Sequence, residues 1–275
     1  MTAKTILITG CSSGIGLDCA RRLKSQGWTV FASCRSEEDC RARQDEGFLA
    51  PRLDYEDPKS IESCVAEVMG QTGGTLDAVF HNGAYALPGP IEDIPAAGMR
   101  AQFEANFLGW HELNLHLFPA MRRQGGGRIL FNSSVLGLVG MKWRGPYVAT
   151  KFALEGYADV LRMEMAEAGI HVVLIEPGPI ETAFRKNAIR QFEKWVDWTS
   201  SARREQYERS LLDQLHKGGS AKAQWPASAV TDVVVRALAA NRPKARYGVT
   251  TPTHVMAIAR RILPTRALDW LLSKG

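Results

Sequence analysis

The sequence predicts an α/β fold: a single domain built on a doubly wound parallel sheet of about seven strands with helices on both faces. Two observations carry that prediction. Short runs rich in Val, Ile and Leu alternate with helix-length amphipathic stretches along the 275 residues, and several runs are apolar throughout, as strands buried on both faces must be. A glycine-rich turn stands between the first run and the first helix, where a parallel sheet brings a strand end to a helix start. No internal repeat or low-complexity linker divides the chain.

Strands are expected over residues 5–9, 28–33, 50–53, 76–81, 128–132, 171–176 and 246–249, and helices over 14–26, 36–46, 58–71, 96–123, 147–168 and 227–240. The first strand, Thr5-Ile6-Leu7-Ile8-Thr9 after a lone lysine, is too short for the apolar core of a secretion signal. It leads into Gly10-Cys11-Ser12-Ser13-Gly14-Ile15-Gly16. Glycines there let the backbone turn tightly and approach a pyrophosphate at the positive end of a helix. The spacing is G-x-x-x-G-x-G rather than G-x-G-x-x-G, so a turn without a ligand stands as the bland alternative. The flanking strand and helix favour the dinucleotide site of a Rossmann-type sheet.

The second strand ends in Ser33-Cys34-Arg35. An NAD site usually offers Asp or Glu there to the ribose hydroxyls, whereas a guanidinium pairs with a phosphate. Arg35 therefore favours NADP(H), with Ser13 as a second phosphate ligand; Glu37 and Glu38 keep NAD as the alternative. Further on, Tyr147 and Lys151 open the helix expected over 147–168. Residues at i and i+4 share a helical face, so a phenol and an ammonium can meet one substrate. A free tyrosine has a pKa of about 10, and a neighbouring cation is expected to lower it toward the working range. Taken alone, the pair is equally a solvated helix face.

Composition narrows the classes. The apolar fraction is 45% and the charged fraction 23%, as in globular proteins, and no apolar run reaches the roughly 18 residues of a spanning helix. A cytoplasmic protein is the default expectation. Five cysteines without C-x-x-C spacing and six scattered histidines indicate neither a disulfide framework nor a metal site. A net charge of +5 without a basic, aromatic-laced run argues against nucleic acid as a partner. The stretch 184–225 is long for a connection and carries Phe192, Trp195, Trp198, Tyr207 and Trp225, either as a lid over an apolar substrate or as a subsidiary aromatic cluster. The C-terminal extension 241–275 carries Arg242, Lys244, Arg246, Arg260, Arg261, Arg266 and Lys274 against one acid, Asp269. Its apolar residues suit basic amphipathic helices that could lie on an anionic membrane surface, cover the core or meet a second subunit.

From about residue 4 to residue 185 the chain resembles the short-chain dehydrogenase/reductase family, in the branch of steroid- and retinol-dehydrogenase-like reductases that includes bacterial NADP-dependent aldehyde reductases. Gly10, Gly14 and Gly16 match its glycine motif, and Asp54 matches the acid that bonds the adenine amino group. Asn106 in Asn106-Phe107-Leu108-Gly109 matches the helix asparagine of the proton relay. Ser134 stands thirteen residues before Tyr147, where the family keeps its active-site serine. Glu176-Pro177-Gly178-Pro179-Ile180-Glu181-Thr182 matches the segment that contacts the nicotinamide. One departure is visible: the family's Asn-Asn-Ala-Gly is here His81-Asn82-Gly83-Ala84, which keeps Asn82 but inverts Ala-Gly and makes the first residue a histidine, read as structural rather than catalytic.

The resemblance implies hydride transfer between NADP(H) and a carbonyl, with Tyr147 as general acid, Ser134 holding the carbonyl oxygen, Lys151 tuning Tyr147 and binding the ribose, and Asn106 anchoring a water. It also implies cofactor contacts from Ser12, Ser13, Ile15, Asn82, Pro177, Gly178, Ile180 and Thr182, and a homodimer paired through the helices over 96–123 and 147–168. Tyr85, Leu87, Leu136, Trp143, Pro179 and Phe184 follow these motifs as candidate lining for a small lipophilic aldehyde, ketone or alcohol. An NAD-linked alcohol or hydroxysteroid dehydrogenase and a non-catalytic dinucleotide-binding protein are the alternatives.

Overall fold

The computed structural model describes residues 3–216 and 224–273; Lys274 of the basic tail lies outside them. Six strands form one parallel sheet: β1 (Thr5–Ile8), β2 (Thr29–Ala32), β3 (Ala78–His81), β4 (Gly127–Asn132), β5 (Ile170–Glu176) and β6 (Arg246–Gly248), in the order β2-β1-β3-β4-β5-β6. The chain winds to one side of β1 and then, from β3 onward, to the other, so the order reverses between β1 and β3. The carboxyl ends there open into the crevice where such sheets bind ligands.

The helices are α1 (Gly14–Ser25), α2 (Glu37–Asp45), α3 (Pro58–Thr72), α4 (Ala96–Phe103), α5 (Gly109–Arg123), α6 (Gly145–Glu164), α7 (Phe184–Trp195), α8 (Arg204–Gln206), α9 (Leu212–His216), α10 (Ala227–Ala239), α11 (Thr251–Ile262) and α12 (Thr265–Ser273). Local chemistry sets several ends. The Ser36 hydroxyl accepts from Asp39 N at the start of α2, and Asp57 accepts from Ser60 N before Pro58 at the start of α3. Gly73, left-handed at φ 66°, closes α3. Alternation along β1 divides the core into two layers. Ile6 and Ile8 pack with Ala20 and Leu23 of α1 and Val234 of α10, while Leu7 packs with Ile61 of α3, Leu113 of α5 and Leu154 of α6.

Two expected elements differ. Residues 50–53 form no sheet strand: only isolated bridges Phe31–Leu49 and Cys34–Arg52 hold that segment to the edge of β2. Ala32 N donates to Leu49 O and Leu53 N to Cys34 O, but Pro51 between them has no N–H to continue the ladder. The helix expected over 96–123 is broken by a π-helical turn, Glu104–Leu108, between α4 and α5. Gly109, just beyond it, is pressed against the Tyr55 backbone so closely that a side chain there would collide with it.

Candidate active site

At the cofactor end the contacts are made largely by backbone. Gly10 and Gly14 adopt left-handed φ of 70° and 58°, which a side chain would strain. A Cβ on Gly10 would stand 2.6 Å from Gly83 Cα, and one on Gly16 would stand 2.7 Å from Asn82 Nδ2. The altered loop after β3 is therefore fitted to the glycine turn: Gly83 faces Gly10 at the closest approach. Thr9 Oγ1 accepts from Asn82 N (2.8 Å) and Gly83 N (3.0 Å), while Asn82 Nδ2 donates to Thr9 O (3.0 Å). A Cβ on Gly14 would stand 3.0 Å from Thr182 Cγ2, so the segment after β5 reaches the same turn. Arg43, which the sequence reading did not single out, reaches up from α2 and donates to Cys11 O (3.3 Å) and Ser12 O (3.2 Å). A lone arginine on a charged, exposed helix gives no local signal of that task.

His81 lies beneath this turn. It is fully buried, with Nδ1 3.0 Å from the Tyr55 hydroxyl and Nε2 2.9 Å from Asn114 Oδ1, and burial pulls its pKa down to about 3. Its ring stacks against those of Trp110 and Phe131. It is a neutral, bonded core group.

The catalytic candidates form one column. Tyr147, Lys151 and Glu155 follow at i, i+4 and i+8 on α6, and the run 132–134 at the end of β4 meets all three. Ser134 acts on the Tyr147 phenol by lowering its pKa, Lys151 Nζ donates to Asn132 O at 2.7 Å, and the Ser133 hydroxyl donates to Glu155 Oε1 at 2.5 Å. The Lys151 ammonium also lies 4.7 Å from the Trp110 ring centre and 5.5 Å from that of Tyr147. Ser134 Oγ accepts from Leu136 N at 3.1 Å, fixing its rotamer.

The electrostatics correct one expectation. Burial pushes the Tyr147 phenol up to about 12, opposed only by the Ser134 hydrogen bond, and burial pulls Lys151 down to about 7, opposed by Glu155. The expected lowering of Tyr147 by its cation is not found: desolvation dominates the phenol, and Lys151 is not among the groups that act on its pKa. Asn106 is fully buried in the π-helical turn, a feature frequent at functional sites. Its Oδ1 accepts from Tyr85 N (3.1 Å) and its Nδ2 donates to Tyr85 O (2.8 Å), so its carboxamide holds the backbone before Ala86 and Leu87.

On the substrate side, Phe184 packs edge-on to Tyr147 with ring centres 5.4 Å apart, and Leu136, Ala86 and Ala188 complete that cluster. Trp143 and Leu87 are not in it. They pack with Phe192, Val196, Tyr207 and Leu211 in a separate core under a helical cap made by residues 184–216. Trp143 has φ 65°, the lone non-glycine among the described residues with positive φ, and its carbonyl accepts from Gly89 N. Phe192, Trp195, Trp198 and Tyr207 of the stretch 184–216 thus pack into a cluster of their own. Residues 217–223 of the expected lid lie outside the described residues, and Trp225 pairs with the strand-like run after β5, donating to Pro179 O and accepting from Glu181 N. A cleft of about 530 Å³ lined by Ile91, Met141, Trp143, Gly145 and Arg203 runs between the cap and the start of α6.

The residues present fit a dinucleotide. Ser13 precedes α1 in an extended conformation with no side-chain cap bond, so it leaves the first-turn N–H groups for an anion. Ser12, Ser13 and Arg35 are exposed at that crevice, and Asn132 Oδ1 is a buried acceptor with no partner. Asp54 is half-buried, with Oδ1 accepting from Glu56 N. Among the described residues no group of three or more His, Cys, Asp or Glu is placed to hold a metal ion.

Comparison with known proteins bears on the family. The model of the short chain dehydrogenase family matches residues 4–193. The oxidoreductase YbbO of Escherichia coli K12 is 40% identical over 270 residues, covering 98% of this chain and 94% of that one. Human 17-beta-hydroxysteroid dehydrogenase type 1 is 34% identical over 262 residues, covering 91% and 78%. Among solved structures, a single-residue variant of actinorhodin polyketide ketoreductase with NADPH superposes with a TM-score of 0.72 at 27% identity, covering 90% of this chain and 95% of that one.

Proposed function

The chain belongs to the short chain dehydrogenase family, nicotinamide-dependent oxidoreductases of CH–OH and carbonyl groups, and on that premise we propose that it reduces a lipophilic aldehyde or ketone with NADPH, Tyr147 acting as general acid. The observation that carries the proposal is the column on α6: a buried phenol one turn from a buried ammonium, with Ser134 at the end of β4 acting on the phenol. When bound, NADPH supplies the hydride. The chain holds it through the first turn of α1, Asn82, Lys151 and the run Pro177–Thr182. Ser134 orients the substrate oxygen and Tyr147 gives it a proton. A phenol with a raised pKa keeps its proton at neutral pH, as an acid must until charge develops on the oxygen. The apolar contacts of Tyr147 with Phe184, Leu136 and Ala188 support a lipophilic substrate, with the cap as the lid that selects it.

Arg35, exposed at the end of β2, supports NADP over NAD. Leu108, Leu115, Val160 and Met163 are exposed apolar residues on or beside α5 and α6 and support a homodimer through those helices. Val255, Ile258 and Ile262 line an exposed face of α11 near Arg261 and Arg266, which supports contact of a cytoplasmic protein with an anionic membrane surface. No helix among the described residues is long and apolar enough to cross a membrane.

The test is NADPH consumption with a panel of medium-chain aldehydes and ketones. Tyr147→Phe is expected to lose about 10² to 10⁴ in kcat, the usual weight of positioned proton transfer; an unchanged rate sinks the mechanism. Arg35→Ala is expected to raise the KM for NADPH at least about tenfold, the scale of one charge-assisted pair of about 1.5–3 kcal/mol, and to spare NADH. Equal effects on both cofactors would remove the phosphate assignment.

A further inference from the structure

Resting on that reading, we propose that Glu155 is a positioning residue that keeps Lys151 charged, and that Ser133 and Arg246 keep Glu155 charged in turn. The geometry is the third rung of the column. Glu155 stands one helical turn beyond Lys151, with its side chain only 9% exposed. Ser133 donates to Oε1, and Arg246 Nε, brought in by β6, lies 3.1 Å from Oε2. The same Nε lies 3.3 Å from Glu176 Oε1 at the end of β5, an oxygen that is buried and makes no hydrogen bond. Arg246 Nη2 also donates to Asp159 at 2.7 Å. Gly137 leaves room for the cluster: a Cβ there would stand 3.0 Å from Glu155 Cγ.

Four elements therefore build an anionic site behind an ammonium that donates to the Asn132 carbonyl. A plain structural tie between β6 and α6 would need one carboxylate. Here the carboxylates of Glu155, Glu176 and Asp159 all meet the guanidinium of Arg246, while Asp159 also pairs with Arg162 at 2.8 Å and Arg261 of α11 attracts Glu176. The groups facing Lys151 are Tyr147 and Glu155 from its own helix, the Trp110 ring from α5, and the Asn132 carbonyl from β4. Glu155 is the one anion among them. It opposes the desolvation that drives Lys151 toward neutrality. Burial raises Glu155 itself, and Ser133 and Arg246 counter that rise. With Glu155 ionised, Lys151 stays an ammonium, and Tyr147 has a cation behind it as its proton leaves.

The experiment uses the full-length protein with two readouts. The first is the pH titration of the Lys151 side chain, followed by NMR of ¹³Cε-labelled lysine and assigned with Lys151→Arg. The second is the pH profile of kcat with NADPH and a medium-chain aldehyde. In Glu155→Gln, which keeps an acceptor for Ser133, the Lys151 midpoint should fall by about one pH unit. The alkaline limb of kcat should move down with it, costing up to about tenfold at pH 8, while the KM for the aldehyde stays within about twofold. Ser133→Ala should move both in the same direction by less, and decides the matter if Glu155→Gln does not fold. A Lys151 midpoint that stays put in the folded variant, or a kcat that falls equally at every pH, overturns the inference. The Tyr147→Phe rate separates the two readings: if that variant stays active the acid assignment fails, while the Lys151 titration still decides the role of Glu155.

Discussion

Around the glycine turn the chain packs backbone against backbone, whereas under the cap of 184–216 it packs ring against ring. In the first region Gly10 meets Gly83, Asn82 and Thr9 exchange hydrogen bonds with main-chain groups, and Arg43 holds two carbonyls. In the second, Tyr207 lies within 6.4 Å, centre to centre, of Trp143, Phe192 and Trp198, and its hydroxyl donates to Asp93 at 2.8 Å. The first arrangement admits few residue types at each position. The second needs volume and apolarity, which many sequences supply. The packing around the glycine turn is therefore the more constrained part of the molecule, and the packing under the cap the more permissive.

Truncation in the cap should show the largest effect and tests whether the regions are separable. Tyr207→Ala removes a fully buried ring and should cost about 3–5 kcal/mol of stability. NADPH affinity, measured by fluorescence titration under folding conditions, should stay within about twofold. A parallel loss of affinity would join the regions that the packing divides. Acid should act next, through the layer beneath the turn. His81 is held neutral with its pKa near 3, so below about pH 6.5 the unfolded chain takes up a proton that the fold refuses. Its share of stability is complete above pH 6.5 and is lost as pH falls toward 3, at about 1.4 kcal/mol per unit, or about 2 kcal/mol by pH 5. Urea unfolding at pH 7 and pH 5 should show that difference, and His81→Asn should flatten it. An unchanged difference in the variant would assign the acid sensitivity elsewhere. The smallest effect is at the turn. Gly16→Ala overpacks it by about 1–3 kcal/mol, with NADPH Kd rising about ten- to hundredfold while the cap's aromatic near-UV signal is retained.

What was legible in the sequence follows the same division. Gly10, Gly14 and Gly16 could be named because a tight turn and close approach demand glycine at fixed spacing, Asn82 and Thr182 because the family resemblance pointed to them, and Tyr147 with Lys151 because a helix turn sets their distance. The alternation of strands and helices likewise conveyed a doubly wound parallel sheet. Pro51 interrupted an otherwise convincing strand, and its missing N–H was a signal present in the sequence. Other features had no local trace. Arg246 and Glu155 are 91 residues apart, Arg43 and Ser12 are 31 apart, and nothing near any of them announces the partner. Nor could spacing show that burial would raise Tyr147, because its desolvation depends on Ala86 and on Phe184 and Ala188 of α7 arriving from elsewhere in the chain. Trp143 went to the cap rather than the phenol because its left-handed backbone and the rings around Tyr207 offered it a place.

The clasp of residues 132–134 on α6 also bears on the order of folding. Its partners lie 19 residues apart at Lys151 and 22 at Glu155, whereas Asn82 and the glycine turn are joined across 72 and 73. Closing the shorter loops costs less chain entropy, so the β4–α6 unit is expected to dock first. Pulse-labelled hydrogen exchange during refolding should find the amides of α6 protected before those of β1. A nascent chain would then set the phenol and ammonium of α6 before it has any place for a nucleotide, and the nucleotide could join only a nearly finished molecule.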